Sequence, residues 1–426
     1  MITAKAFAGK HYAVYGLARS GLATVEALLA SGARVTAWDG KEEARAALPE
    51  GAQLADLDAV DLAQFDSLVV TPGLPLNRHP IAARARAAGV EIIGDIELFA
   101  RARPELPPHK VVGITGTNGK STTTALVHHI LQTAGVPSLM GGNIGLPILA
   151  QDPLPEGGVY VLELSSYQID LTQSLDCDVA VLLNITPDHL ERYDGFKEYA
   201  ASKARLFEMQ SIAHVAIAST STEAATRQLE DLDQFVTSVD AESWPNEDQV
   251  NWPALQGPHN AENAAVAHSV CDALGVATDV TETALRTYPG LPHRMERIRE
   301  KDGVLYVNDS KATNATATAP ALAAFPAIRW ICGGQAKADH LDECAPHFGH
   351  VREAYTIGEA SELFARILAP HIKVAECGDL AHAVLRAAND AQPGETVLLS
   401  PACASFDQFS DFEARGDAFR TLVGAL

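Results

Sequence analysis

The chain has 426 residues, 47% of them hydrophobic and 6% aromatic, with 32 basic against 54 acidic side chains and a formal net charge of −22. That length exceeds a single hydrophobic core, and the acidic balance argues against a general nucleic-acid or anionic-membrane surface; a small phosphorylated ligand needs only a few lysines and helix N-termini. The first ten residues lack a signal-peptide core, no apolar run reaches spanning length, and the six cysteines (Cys177, Cys271, Cys332, Cys344, Cys377, Cys403) form no Cys-x-x-Cys pair, so a cytoplasmic protein with reduced thiols and no zinc scaffold is expected.

Short β-branched runs alternate with alanine-rich stretches of helical period, the pattern of βαβ units and mostly parallel sheets. The first unit has strands predicted at His11–Tyr15, Arg34–Asp39, Ser67–Val70 and Val90–Ile93, with a glycine turn at Gly16–Gly21. It closes near residue 97, and Arg101–His109, with three prolines, reads as a linker. The second unit opens with the strand Lys110–Ile114, a glycine-rich loop and a helix to about Ala134; strands at Val159–Leu164 and Val179–Ile185, a loop over Pro245–Pro258 and a helix over His259–Leu274 follow. After Tyr288-Pro-Gly-Leu-Pro292, the third unit has predicted strands at Val304–Asn308, Ile328–Cys332, Ala354–Ile357 and Thr396–Ser400. The domains expected are 1–97, 98–290 and 291–426, with no fixed-period repeat among them.

Gly113-Ile-Thr-Gly-Thr-Asn-Gly-Lys-Ser-Thr-Thr123, between a strand and a helix, is the strongest signal. Glycines turn backbone N–H groups toward phosphate oxygens, Lys120 neutralises charge, and the Ser121 hydroxyl can meet Mg²⁺. Strict Walker spacing asks for glycine at 114, where Ile114 stands, so the loop is a variant anchored by Gly116 and Gly119. The plainer alternative is a glycine-rich β–α turn with a chance lysine; glycines, lysine and hydroxyls in immediate succession between a strand and a helix favour the phosphate loop.

Val159-Tyr-Val-Leu-Glu163 carries apolar residues up to a carboxylate at a strand's C-terminal end, where parallel sheets keep their ligand sites. Glu163 is read as a Mg²⁺ ligand or as a buried or edge glutamate. His189, in Asn184-Ile-Thr-Pro-Asp188-His189, reads as a metal ligand, a proton donor or acceptor, or a solvated loop histidine. Lys203 has an ordinary helical context and reads locally as a solvated lysine. In the first unit, Gly16-x-x-x-x-Gly21 with Arg19, Ser20 and Asp39 is an incomplete dinucleotide fingerprint that suits some diphosphate. Three polar clusters end strands of the third unit: Asn308–Asn314, Gly333–Lys337 and Ser400–Phe409. Each alone is ordinary turn chemistry; together they suggest one crevice whose lysines and hydroxyls suit a small dicarboxylate.

These motifs occur in a familiar order. Gly116-Thr-Asn-Gly-Lys-Ser-Thr122, Gly141-Gly-Asn143-Ile-Gly145, Glu163-Leu-Ser-Ser-Tyr-Gln168, Asp188-His189, His259-Asn260-Ala-Glu-Asn263, Leu291-Pro-His293-Arg294, Asn308-Asp-Ser-Lys-Ala-Thr-Asn314 and Ser400-Pro-Ala-Cys-Ala-Ser405 make the chain resemble the Mur ligases from end to end. The resemblance implies an α/β protein of three domains: a Rossmann-like N-terminal domain, a central P-loop ATPase domain and a Rossmann-like C-terminal domain. It implies an ATP-dependent amide ligase of cytoplasmic peptidoglycan precursor synthesis, a monomer without nucleic-acid or membrane partners. The Leu-Pro-His-Arg and Ser-Pro-Ala-Cys-Ala-Ser runs resemble the member that joins D-glutamate to UDP-N-acetylmuramoyl-L-alanine through an acyl phosphate.

By the same resemblance, Lys120 contacts the β/γ-phosphates, and Gly116, Thr117, Asn118, Gly119, Ser121 and Thr122 cradle ATP with Asn260, Asn263, Arg294, Asp309 and Lys311. Ser121 and Glu163 hold one Mg²⁺, and His189 with a carbamylated Lys203 serves a second Mg²⁺ or the acyl phosphate. Carbamylation needs a neutral amine, hence a pKa well below the free value of about 10.4. Asn143 contacts the substrate carboxylate or acyl group. Thr313, Lys337, Ser405 and Phe406 fall near the glutamate, and Arg19, Ser20, Asp39, Thr71 and Gly73 near the UDP moiety, where Arg19 departs from an often apolar position. The C-terminal domain is expected to close on the central one about Pro289–Pro292.

Three other readings are weaker. A regulatory P-loop switch lacks an Asn-Lys-x-Asp run, and a nicotinamide dehydrogenase lacks the full glycine fingerprint. A sibling ligase, or a folylpolyglutamate synthase-like enzyme, shares the phosphate loop but not the C-terminal motifs.

Overall fold

A computed structural model describes residues 1–188, 190–229, 236–240 and 246–426. The chain divides into two compact units, Met1–Ser243 with Asn263–Ala284, and Trp244–Glu262 with Leu285–Leu426. Among the described residues the strands form three sheets, two in the first unit and one in the second.

The N-terminal sheet holds β1 (His11–Tyr15), β2 (Arg34–Trp38), β3 (Gln53–Leu54), β4 (Ser67–Val70) and β5 (Glu91–Ile93) in the order β3-β2-β1-β4-β5, all parallel. This is the strand order of a dinucleotide-type α/β fold, with the chain reversing direction across the sheet at β1 and β4. Helices punctuate it by ordinary rules. The helix Pro80–Ala88 has proline in its first turn, a His79 N-cap and the left-handed Gly89 at its end.

The central sheet holds β6 (His109–Thr115), β7 (Ser138–Gly142), β8 (Gly158–Glu163), β9 (Val179–Leu182), β10 (Val215–Ser219) and β11 (Val236–Val239), ordered β11-β10-β9-β6-β8-β7 and parallel throughout. Every residue of β8 is buried, as its near-continuous apolar run requires of a strand covered on both faces. The helix Asp95–Ala102 lies in a continuous apolar core reaching from Val14 and Phe99 to Tyr160 and Leu182. The segment expected as a linker therefore begins inside this helix, passes through a 3₁₀ turn at Arg103–Glu105, and enters β6 at His109. Glu97, 1% exposed, anchors that helix by accepting from the Gln173 and Ser174 amides, the Ser174 hydroxyl and Arg101.

The second unit's sheet holds β12 (Glu296–Lys301), β13 (Val304–Asn308), β14 (Ile328–Gly333), β15 (Val351–Ile357), β16 (Val374–Gly378) and β17 (Thr396–Leu399) in the order β12-β13-β17-β14-β15-β16. Only β12 is antiparallel, paired with β13. Alternate residues feed two cores, Trp330 and Leu398 on one face, Ile331 and Leu399 on the other. The charged run Glu-Arg-Ile-Arg-Glu-Lys of β12 carries no strand signal, which is why sequence reading passed over this edge. The expected loop before Pro258 contains a 3₁₀ turn at Asn246–Asn251, and Pro245 lies outside the described residues.

Candidate active site

β6 lies between β8 and β9, so the loop that follows it meets residues from both neighbours. Ile114 is paired with Glu163 on one side and Val181 on the other and is fully buried. The missing Walker glycine is thus a strand residue, and the tight part of the loop starts at Gly116. Asn184, just past β9, pins that loop: its carbonyl accepts from the Thr117 amide (2.8 Å) and its Oδ1 from the Asn118 amide (2.9 Å). Gly119 (φ +83°) begins the helix Lys120–Thr133, and a Cβ there would stand 2.4 Å from Asn263 Oδ1. That Oδ1 accepts from the Thr123 hydroxyl at 3.1 Å, which ties Asn263 to the first turn of the helix. Ser121 is buried and Thr122 half-buried in the same turn. Lys120 Nζ donates to the carbonyls of Gly116 (3.0 Å) and Thr117 (2.8 Å).

Glu163 ends β8 beside this loop, 2% exposed. Its Oε1 accepts from Asn143 Nδ2 at 2.9 Å and its backbone carbonyl accepts from the Asn143 amide at 2.8 Å, while Oε2 is buried without a hydrogen-bond partner. A buried, unmatched carboxylate oxygen is costly unless a cation or proton meets it. One carboxylate and the Ser121 hydroxyl are the oxygen donors that Mg²⁺ takes together with nucleotide phosphates, so these residues fit that ion. Among the described residues no three His, Cys, Asp or Glu side chains converge on a metal position, and His189 lies outside the described residues.

Lys203 corrects the local reading. It is on the helix Phe196–Glu208, whose Tyr199, Ser202, Lys203, Leu206 and Phe207 are buried, and is 2% exposed, not solvated. Its Nζ donates to the Gly116 carbonyl at 2.9 Å and lies 4.6 Å from the Tyr199 ring centroid. Burial, and then the charge of Lys120, hold its pKa well below the ordinary lysine value against the opposing pull of Asp188 and Asp170. The Tyr199 hydroxyl stands 3.0 Å from Thr117 Oγ1, so one helix supports the loop twice.

The N-terminal sheet belongs to the same unit. Arg19 starts the helix Arg19–Ala30 and donates to the Gly145 carbonyl at 3.1 Å, two residues from Asn143. Ser20 and Thr71 line a small cavity with Asp95, whose carboxyl burial raises to about 6. Asp39 accepts from the amides of Leu17 (2.7 Å) and Lys41 (2.9 Å), holding the glycine turn in place. The Gly73 carbonyl accepts from Arg192 at 3.3 Å.

In the second unit, β13, β17 and β14 are neighbours, so the three polar clusters end adjacent strands. Asp309 is buried and accepts from Ser400 Oγ (2.8 Å) and the Met295 amide (3.2 Å); burial raises its carboxyl to about 7, opposed by those bonds and by Arg294. Arg294 is half-buried, its amide bonded to the Leu291 carbonyl (3.2 Å). Lys311 Nζ lies 3.9 Å from the Phe412 ring centroid, and Lys337 Nζ donates to Thr313 Oγ1 at 3.2 Å. Ser405 is buried, whereas Phe406 is 69% exposed. Asn260 is buried and donates to the Gln256 carbonyl at 3.0 Å.

Sequence reading gives no role to Asn184, Arg192, Phe412 and Arg415, which the structure ties to candidate site residues: Asn184 to Asn118, Arg192 to Gly73, Phe412 to Lys311 and Arg415 to the Ser310 and Cys403 clusters. Arg415, 1% exposed, donates to Ser310 Oγ and to the carbonyls of Ser310, Cys403 and Ala404, stitching two of the clusters together. Asn184 had a usable signal, a polar residue just past an apolar strand; Phe412 and Arg415 sit in an ordinary helix and had none.

Known proteins match this architecture along its length. Residues 10–94 match the MurD-like N-terminal domain of Mur ligases, residues 114–271 the Mur ligase middle domain, and residues 293–403 the Mur ligase glutamate ligase domain. The chain is 61% identical to the UDP-N-acetylmuramoylalanine–D-glutamate ligase of Novosphingobium aromaticivorans, covering 100% of this chain and 97% of the relative. It is also 61% identical to that of Sphingopyxis alaskensis, with both chains fully covered, and 57% identical to that of Zymomonas mobilis. Among solved structures, MurF ligase from Thermotoga maritima in complex with ADP matches with a TM-score of 0.62 at 16% identity, over 98% of this chain and 96% of that one. MurC from the same organism matches at 0.59 and 17%, over 98% and 99%. The chain belongs to the Mur ligase family, in its MurD-like branch.

Proposed function

We propose that this protein spends ATP to activate the terminal carboxylate of UDP-N-acetylmuramoyl-L-alanine and joins it to the amine of D-glutamate. The observation that carries the chemistry is the buried, unpartnered Oε2 of Glu163 at the strand end beside the phosphate loop. The choice of substrates is supported by the name shared by relatives 57–61% identical over the whole chain.

A carboxylate is a poor acyl donor until one oxygen becomes a phosphate leaving group, and bringing it against a triphosphate requires charge cancellation. The amides of the Gly116–Gly119 loop and the first turn of the following helix cradle the phosphates, with Lys120 exchanging its loop carbonyls for β/γ oxygens. Thr117, Asn118, Ser121 and Thr122 complete that cradle, with Asn260, Asn263, Arg294, Asp309 and Lys311 assigned to the rest of the nucleotide. Ser121 and Glu163 would hold Mg²⁺, which supplies charge neutralisation at the transferring phosphoryl group. His189 and Lys203 are assigned to a second Mg²⁺ or the acyl phosphate; Lys203, buried and driven toward its neutral form, has the chemistry to take up CO₂ as a carbamate. Asn143 orients the substrate acyl group. The amine of D-glutamate attacks the acyl carbon, and collapse of the tetrahedral intermediate yields amide and phosphate.

Arg19, Ser20, Asp39, Thr71 and Gly73 in domain 1–97 are assigned to the UDP moiety, and domain 98–290 to ATP. In domain 291–426, Thr313, Lys337, Ser405 and Phe406 are assigned to the glutamate. The reading includes a cytoplasmic monomer. Among the described residues no helix is long and apolar enough to cross a membrane. The test is an amino-acid screen for phosphate release with ATP and UDP-N-acetylmuramoyl-L-alanine. Release that requires D-glutamate, and not L-glutamate or other amino acids, is expected. Equal release with L-alanine or a diamino acid would reject the assignment.

A further inference from the structure

Arg192 has no part in the reaction just outlined, yet it is among the most connected side chains of the first unit. From the turn after Asp188 its guanidinium reaches the loop that follows β4. Nη1 donates to the Gly73 carbonyl at 3.3 Å, and Nη2 donates to those of Pro72 (3.3 Å) and Leu74 (2.9 Å). The same group covers the ring of Tyr167, with Cζ 4.1 Å from its centroid, and Tyr167 in turn stacks on Tyr193 at 6.2 Å and 25°. The bond pattern is reciprocated: Asn77 Nδ2 and Arg78 Nη2 donate to the Glu191 carbonyl at 3.1 and 3.0 Å.

A planar, always-charged guanidinium with five N–H donors can serve several carbonyls in one plane while its face lies on an aromatic ring. An ammonium cannot do both. Loops such as Pro72–Arg78 ordinarily move independently of their neighbours. Here the loop is bolted to the 3₁₀ turn Leu190–Arg192, and Tyr167 belongs to the Glu163–Gln168 run that begins at the candidate metal carboxylate.

We propose that Arg192 is a positioning residue that couples the substrate loop Thr71–Leu74 to the Glu163–Gln168 run through Tyr167, so that the UDP-bearing substrate finds its pocket already aligned with the carboxylate-activating groups. This rests on the proposed function, because that reading assigns the Thr71–Gly73 loop to the UDP-bearing substrate.

Steady-state kinetics on the full chain, with amide hydrogen exchange over residues 72–78, test the idea. In Arg192→Ala and Arg192→Lys the KM for UDP-N-acetylmuramoyl-L-alanine should rise about tenfold, as expected for lost charge-assisted hydrogen bonds, while the KM for ATP stays within about twofold. Exchange at the Gly73, Leu74, Leu76, Asn77 and Arg78 amides of that stretch should quicken in both variants. Tyr167→Leu, which removes the ring under the guanidinium, should fall between wild type and Arg192→Ala. A lysine variant with wild-type KM and unchanged exchange overturns the proposal, as does a fall in kcat alone with both KM values and the exchange pattern intact. Should Arg192→Ala fail to fold, the lysine and Tyr167→Leu variants decide. A wild-type protein that releases no phosphate with these substrates refutes the functional reading instead, and the exchange comparison still judges the clamp.

Discussion

Lys120 and Lys203 direct their ammonium groups at the same acceptor: both donate to the carbonyl oxygen of Gly116, at 3.0 and 2.9 Å. Lys120 belongs to the loop proposed to cradle the phosphates, where its charge would be needed. Lys203 is enclosed by protein, and its burial together with the neighbouring cation drives it toward the uncharged amine. The unfavourable pair is relieved if Lys203 loses its proton, and relieved further if it becomes an anion.

Lys203→Ala should therefore lower phosphate release by about 100-fold or more, the scale of losing one electrostatic group at a transferring phosphoryl. Short carboxylic acids added to the alanine variant should restore part of the rate by lending an anion to the vacated space. Turnover is measured with and without formate, acetate and propionate. An alanine variant as fast as wild type would remove the carbamate from the mechanism.

Glu163→Gln keeps the bond from Asn143 within reach of an amide oxygen but replaces the unpartnered Oε2. The variant should melt near the wild-type temperature while the Mg²⁺ concentration for half-maximal rate rises about tenfold or more. Melting curves and a Mg²⁺ titration of phosphate release check it. An unchanged Mg²⁺ dependence would exclude Glu163 as a ligand.

Gly142 stands at φ +84°, and a Cβ there would approach the Glu163 backbone carbonyl to 2.1 Å. Gly142→Ala must push β7 from β8 where Asn143 meets Glu163. The expected cost is about 1–3 kcal/mol of stability, with activity falling more steeply than stability alone explains. Denaturant unfolding and turnover at matched folded fraction measure the two effects separately.

Asp309 offers a pH test. Burial raises its carboxyl to about 7 in the folded protein, whereas an unfolded chain titrates near about 3.9. Between these values the native state holds a proton that the unfolded state has lost, so stability falls as pH rises through the window. Relative to Asp309→Asn, the wild type should lose melting temperature from about pH 4 to about pH 7 and run parallel above it. A constant difference across that range would contradict the burial argument.

Local pattern made much of this protein legible. β1, β4 and β13 lie where the sequence predicts them, and the loop at Gly116–Ser121 follows from a strand, glycines and a lysine in immediate succession. The ordered motifs likewise identified the family, since each is a short run whose chemistry is complete within a few residues. Tertiary structure alone decided what the motifs touch. Only the pairing of β6 with β8 and β9 sets Glu163 level with Ile114 and Asn184 against Thr117. Only the packing of one helix buries Lys203, which local sequence reads as solvated, and only the folded chain brings Arg192 to Pro72–Leu74 or Arg415 to Ser310 and Cys403. Parallel strands exchange hydrogen bonds across long crossovers, so such contacts leave no period or spacing in the sequence. The chain itself determines which chemical groups are available; long-range strand order and burial determine which of them meet and in what charge state.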